Sequence, residues 1–190
     1  MDLAHRHGEI SVRRWRSVAR EALLVIDMLG DFLAPEGSLF IGAAAAGVER
    51  AVAGEIARAR EQRRPVVYIC DRHRPDDAEF AMFSPHCIAA SPGAEVVPAL
   101  KPQPGDLVVP KRRYSAFYGT DLDLSLREKG IDKLILTGVC TNICVLYTAA
   151  DARMRGYEVE VVREAVASFD PAAHEFALQE MEKTLGVRVR

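Results

Sequence analysis

The sequence predicts an α/β fold, a three-layer αβα sandwich around a mostly parallel sheet of about six strands. Three observations predict it. Short apolar runs rich in branched residues recur along the chain, at residues 22–26 (ALLVI), 66–70 (VVYIC), 106–110 (DLVVP) and 134–136 (LIL). Unbroken runs of that length mark strands buried on both faces. Amphipathic stretches alternate with them; in residues 47–64, Val48, Val52, Ile56 and Ala59 share one helical face, with Arg and Glu on the other. Polar side chains, Asp27, Asp71 and Lys111, stand directly after the apolar runs, where open parallel sheets hold their ligand crevice.

A chain of 190 residues, 49% hydrophobic and 27% charged, suits one domain with a sizeable core. A formal net charge of −2 gives no reason to expect a nucleic acid or a membrane as partner. No apolar run approaches the roughly 18 residues of a membrane span, and the N-terminus lacks the apolar core of a secretory signal. Four cysteines, Cys70, Cys87, Cys140 and Cys144, form no disulfide framework in a chain of this length, so free thiols and a cytoplasmic location are expected. There is no internal repeat and no Gly-x-Gly-x-x-Gly phosphate loop.

Residues 1–21 are rich in Arg and contain Trp15. They read as an N-terminal arm, appended to a domain over residues 22–190, that lies on the domain or on a neighbouring subunit and has no catalytic role. The first strand, 22–26, ends at Asp27, which suits either a crevice carboxylate or a turn-forming Asp. Asp31 and Phe32 follow in a loop, Phe32 as a pocket wall or a core plug. Residues 35–46 are a Gly/Ala-rich loop, 47–64 a helix, and 66–70 the second strand.

After it comes DRHRPDDAEFAMFSPHC. Asp71 and His73 are two apart, with Glu79 and His86 further along the loop. Carboxylate and imidazole at this spacing suit zinc, iron or manganese, and equally a polar loop with turn chemistry at Pro75-Asp76. Residues 91–104 are a Pro-punctuated connector, 106–110 the third strand, and Lys111 its polar end. Lys111 reads either as a desolvated cation holding a carboxylate or as a solvent lysine. A helix over 122–129, capped by Thr120 or Asp121, leads to the strand at Lys133. That strand breaks at Thr137-Gly138.

A helix reopens at Thr141-Asn142 and runs to about Gly156, with Cys144 just inside its N-terminus. A strand over 158–162, a loop over 165–169, a helix from Asp170-Pro171 to about Leu185 and a short strand over 187–189 complete the chain. His174, on that last helix, reads as a surface residue far from every strand end.

A thiol at a helix N-terminus sits near unpaired N–H groups and the positive end of the dipole, which favour the thiolate. Cys144 is therefore a candidate nucleophile or, more simply, a buried core cysteine. Asp27, Lys111 and the turn before Cys144 follow three different strands, whose ends face one way in a parallel sheet. An acid, a cation and a thiol in one crevice suit nucleophilic acyl transfer, with turn N–H groups binding the oxyanion.

These residues resemble the isochorismatase-like cysteine hydrolases and, within them, the nicotinamidases. The resemblance runs from about residue 22 to 189 and is carried by LLVIDMLGDF, CDRH…EFAMFSPHC, VPKRRYSAFYGTDLDLSLRE and LTGVCTNICVLYTAADARMRGYEV. It implies a Cys144, Asp27 and Lys111 triad, a cis peptide between Val139 and Cys140, and oxyanion binding by the N–H groups of Cys140 and Cys144. It implies a divalent metal, zinc first and iron or manganese otherwise, held by Asp71, His73 and His86, with Glu79 as a fourth ligand in some members. Phe32 and Tyr114 become candidate walls for a flat ring. The activity implied is hydrolysis of nicotinamide to nicotinate and ammonia through a Cys thioester, in NAD salvage, by a homo-oligomer. The alternative is hydrolysis of another small amide or ureido compound in the same fold.

Overall fold

The computed structural model describes residues 20–190. The expected N-terminal arm lies outside the described residues, except for Arg20 and Glu21, of which Glu21 opens the first strand. Six strands form one sheet: β1 Glu21–Ile26, β2 Val66–Asp71, β3 Leu107–Lys111, β4 Lys133–Val139, β5 Glu158–Ala167 and β6 Arg188–Val189. Their order is β3-β2-β1-β4-β5-β6, and every pairing is parallel. The helices are α1 Gly30–Leu33, α2 Ala45–Glu61, α3 Leu122–Glu128, α4 Leu146–Met154 and α5 Pro171–Lys183.

Strand periodicity divides the core in two. Leu23, Val25, Tyr68 and Ile135 face one side and pack with Val48, Val52 and Ile56 of α2. Leu24, Ile26, Val67, Ile69, Leu134 and Leu136 face the other and pack with Leu126 of α3, Ala149 of α4 and Leu178 of α5. Both faces are covered, which is why the strands read as unbroken apolar runs. Each Val, Leu or Ile among them contributes about 1.5–3 kcal/mol by leaving water.

Three local readings change. The expected loop at Asp31 and Phe32 is a single helical turn, α1. The helix expected from residue 47 starts at Ala45, preceded by a 3-10 turn over Gly42–Ala44. The loop expected over 165–169 is in part strand. A register shift between Leu136 and Gly138 lets β5 resume pairing, with Val166 opposite Gly138 and Ala167 opposite Val139. The exposed pair Arg163 and Glu164 interrupts the apolar run and hides this continuation.

β1 and β4 are neighbours at the centre, and the chain winds outward from them in opposite directions. That is the switch point where such sheets open a crevice at their carboxyl edge. Close approach of the two strands there demands Gly138. At φ +108°, a Cβ on it would lie 1.9 Å from the Ile26 carbonyl oxygen. No helix among the described residues is long and apolar enough to cross a membrane.

Candidate active site

Asp27 leaves β1 with φ +50°, a left-handed conformation that Asp tolerates better than most residues. Its N–H donates to the Ile69 carbonyl at 2.8 Å, and its own carbonyl accepts from Leu29 N–H at 2.8 Å. The side chain is turned inward and fully buried. Its Oδ1 accepts from the Asp71 N–H at 2.8 Å, and its Oδ2 lies 2.8 Å from Lys111 Nζ. Lys111 ends β3, and its ammonium is also buried; it donates to Asp71 Oδ1 at 2.6 Å and to Cys144 Sγ at 3.4 Å. One cation thus touches two carboxylates and the thiol.

Cys144 reaches this cluster from the end of β4. The Val139–Cys140 peptide is cis. Residues Thr141–Val145 then form a single π-helical turn that runs into α4. The N–H groups of Ile143 and Val145 both donate to the Cys140 carbonyl, at 3.0 and 3.2 Å. Cys144 is 5% exposed.

The electrostatics correct one expectation. Burial holds the Cys144 thiol well above its ordinary range; Lys111 opposes this, and Asp27 and Asp71 reinforce it. The resting group is a thiol, because burial and two nearby carboxylates outweigh the helix terminus and the lysine. Burial, followed by the charge of Asp71, raises the Asp27 carboxyl to about 6 against the pull of Lys111. Burial would raise Asp71 as well, but the Lys111 ammonium and the nearby imidazoles of His73 and His86 outweigh it, so Asp71 stays ionised. Lys111 loses solvation by burial, yet Asp27 and Asp71 hold its ammonium protonated. Two carboxylates in one cluster thus have different tasks open to them: Asp71 keeps its charge, and Asp27 can exchange a proton near neutral pH.

The loop after β2 folds back on itself. His73 N–H donates to the Cys87 carbonyl and Ala89 N–H to the His73 carbonyl, each at 2.9 Å. Asp31 of α1 anchors the return, its Oδ2 accepting from Cys87 N–H at 2.7 Å. His86 thereby comes beside His73, ring centroids 4.7 Å apart. His86 Nδ1 lies 2.9 Å from the Ser84 carbonyl, which makes Nδ1 the donor and turns Nε2 toward Asp71. His73 Nδ1 faces Asp77 Oδ2 at 3.3 Å. Both Nε2 atoms lie 3.7 Å from Asp71 Oδ2, and both ring nitrogens of His73 are buried without a hydrogen-bond partner.

Asp71, His73 and His86 offer ligand atoms that all lie within 4.8 Å of one another. A carboxylate and two imidazoles, backed by a carboxylate and a carbonyl, fit a divalent metal such as zinc. Glu79 lines the same cleft but does not join this set; its Oε2 is buried without a hydrogen-bond partner, 3.9 Å from Arg113.

Phe32 and Tyr114 both line the cleft over Cys144, together with Phe83, Ile143 and Phe169. Free space over the sulfur is about 20 Å³, room for about one water. Phe169, at 40% exposure, is the least confined of these side chains. A larger cavity of about 510 Å³ lies among Arg72, Arg112, Arg113 and Tyr118; neither Cys144 nor Asp27 opens onto it.

Sequence reasoning missed Asp77 and misplaced His174. Asp77 is nearly buried and takes Arg112, Arg113 and His73 on its two oxygens. Burial would raise its carboxyl, but the Glu79 N–H, His73 and Arg113 hold it down to about 2. In a loop rich in Asp, nothing in the sequence separates it from Asp76. His174 is no surface residue: its side chain is 18% exposed, and its Nδ1 lies 2.8 Å from the hydroxyl of Thr141.

A parallel α/β sheet with a cysteine, a lysine and two carboxylates gathered at its switch point defines a hydrolytic enzyme of the α/β class. Within that class the chain belongs to the isochorismatase family, whose isochorismatase domain matches residues 21–189. It is similar to the solved structure of nicotinamidase/pyrazinamidase PncA from Bacillus subtilis, with 38% identity, TM-score 0.85, and coverage of 90% of this chain and 98% of that one. It is similar to the pyrazinamidase of Pyrococcus horikoshii in complex with zinc, at 32% identity and TM-score 0.85, covering 90% and 98% of the two chains. It is also similar to N-carbamoylsarcosine amidase from Thermoplasma acidophilum, at 37% identity and TM-score 0.82, covering 90% and 95%.

Proposed function

We propose that this isochorismatase-family amidohydrolase is a nicotinamidase, releasing ammonia from nicotinamide to leave nicotinate, in NAD salvage. The observation that carries the reading is the pairing, across one aromatic-walled cleft, of the Cys144, Lys111 and Asp27 cluster with the Asp71, His73 and His86 donor set. The likeness to a zinc-containing pyrazinamidase supports it. A cytoplasmic location and a homo-oligomeric state belong to the same proposal.

In this reading Cys144 is the nucleophile. Asp27, poised near neutral pH, takes the Sγ proton as the sulfur attacks the amide carbon. Lys111 stays charged and balances the thiolate while Asp27 is protonated. Backbone N–H groups at Cys140 and Cys144 hold the carbonyl oxygen as it gains charge. Asp27 then returns its proton to the departing nitrogen, and ammonia leaves a thioester behind. Asp27 next deprotonates a water that attacks the thioester carbon; nicotinate leaves and the proton returns to Sγ. Phe32 and Tyr114 hold the ring. Asp71, His73 and His86 would hold the metal, zinc with iron or manganese as alternatives, and when bound it supplies a Lewis-acidic point for the ring nitrogen.

A second reading, hydrolysis of another small amide or ureido compound, is favoured by the likeness to N-carbamoylsarcosine amidase. Ammonia release from nicotinamide by purified protein, with and without a chelator, decides between them. Turnover lost on chelation and regained with zinc supports the nicotinamidase. No release from zinc-loaded protein, with release from N-carbamoylsarcosine or maleamate, supports the second reading.

A further inference from the structure

We infer that His174 is a positioning residue for catalysis, holding through Thr141 the turn that carries Cys144. The inference rests on the reading of Cys144 as nucleophile with turn N–H groups binding the oxyanion.

His174 lies one helical turn before Ala177 and Leu178, which are buried under the sheet face with Met181. It therefore points inward, at a position where an apolar residue would extend that stripe. What it meets is the Thr141 hydroxyl, at 2.8 Å, on a residue with no solvent exposure. Burial pushes the imidazole below its ordinary range; Glu175 opposes this and Arg163 adds to it. The ring is thus neutral at pH 7, one nitrogen a donor and the other an acceptor, and either can complement a hydroxyl.

Thr141 directly follows the cis peptide and stands between Cys140 and Cys144, whose N–H groups the reaction needs. Its hydroxyl has no second partner among the described residues. The turn's own hydrogen bonds fix Ile143 and Val145 on the Cys140 carbonyl, while Asn142 is tied by Ser168 Oγ at 2.5 Å. Thr141 is held by His174. Removing the imidazole leaves a buried hydroxyl unpaired, which costs more than deleting both partners. The relief available is rotation of the turn, and displacement by an ångström at a reacting group costs about a hundredfold in rate.

The test compares His174→Ala, His174→Asn, His174→Gln and Thr141→Val with the wild type. Amide hydrogen exchange over residues 140–146, read beside urea stability, needs no substrate. His174→Ala is expected to speed exchange in that turn by about tenfold or more, with the rest of the sheet unchanged. With nicotinamide, kcat should fall about ten- to a hundredfold while KM holds. His174→Asn, whose amide sits near the Nδ1 position, should restore kcat better than His174→Gln. Thr141→Val should match His174→Ala, and the double variant should be no worse than either.

Wild-type exchange and kcat in folded His174→Ala would overturn the inference. Equal rescue by Asn and Gln, tracking stability alone, would reduce His174 to a packing residue and overturn it as well. If wild-type protein releases no ammonia from nicotinamide, the substrate reading fails by itself, and the exchange measurement still decides the role of His174.

Discussion

The backbone N–H of Asp71 is hydrogen-bonded to Asp27 Oδ1 at 2.8 Å. The residue that faces the two histidines thus also fixes the carboxylate facing the thiol. Lys111 closes the link by ion-pairing with both side chains, at 2.8 and 2.6 Å. The two halves of the site are one linked polar unit across β1, β2 and β3.

Lys111 is the cation that allows two carboxylates to share that space. Lys111→Met keeps the stem and removes the charge, leaving Asp27 and Asp71 facing each other in a buried site. Breaking a buried pair on one side costs about 3–5 kcal/mol. Urea unfolding of Lys111→Met should show a loss of that order, and ammonia release should fall with it. A loss below about 1 kcal/mol, the scale of an exposed pair, would contradict the central role given to the lysine.

The metal proposal separates ligand from support. His73→Ala should empty the site, read as metal per protein after dialysis. Asp77→Asn keeps His73 but weakens the group behind its Nδ1, and should loosen metal about 10- to 100-fold in a competition with a chromophoric chelator. Wild-type metal content in His73→Ala would remove it from the ligand set.

At the opposite, amino-terminal edge of the sheet, Glu160 is buried among Lys133, at 3.1 Å, and Arg190. Burial would raise its carboxyl, but Arg190 and Lys133 outweigh that and hold it below its ordinary 4.5. A depressed carboxyl contributes stability that is fully present above its unfolded value and is lost as pH falls through its folded value. Wild-type unfolding free energy should therefore drop below about pH 4.5 more steeply than that of Glu160→Gln. The variant should be less stable at pH 7. Parallel curves for the two proteins would show that Glu160 contributes nothing to the acid limb.

Much of this arrangement was legible in the sequence because both of its ingredients leave local marks. Unbroken apolar runs located the central strands, and the polar residues just beyond them, Asp27, Asp71 and Lys111, are the ones the sheet brings together. The Asp-x-His spacing and the later His86 marked the donor set that the folded loop assembles. The ionisation of Cys144 was not legible: it depends on burial and on carboxylates from two other strands, which a helix-terminus argument omits. Asp77 and His174 were not legible either, since nothing in the pattern marks Asp77 as the partner of His73 and Thr141 meets His174 from 33 residues away in sequence. The end of β5 was hidden because a register shift breaks its periodicity.

The central claim is that Cys144 forms a covalent acyl intermediate. Acid quenching during nicotinamide turnover, followed by mass analysis of the peptide carrying residues 140–153, tests it directly. The account predicts a nicotinoyl adduct on Cys144 that disappears as substrate is exhausted, and a fall of at least about ten-thousand-fold in turnover for Cys144→Ala with metal content retained. Undiminished turnover in Cys144→Ala, with no adduct in the wild type, would contradict it and leave direct attack by water as the chemistry of this site.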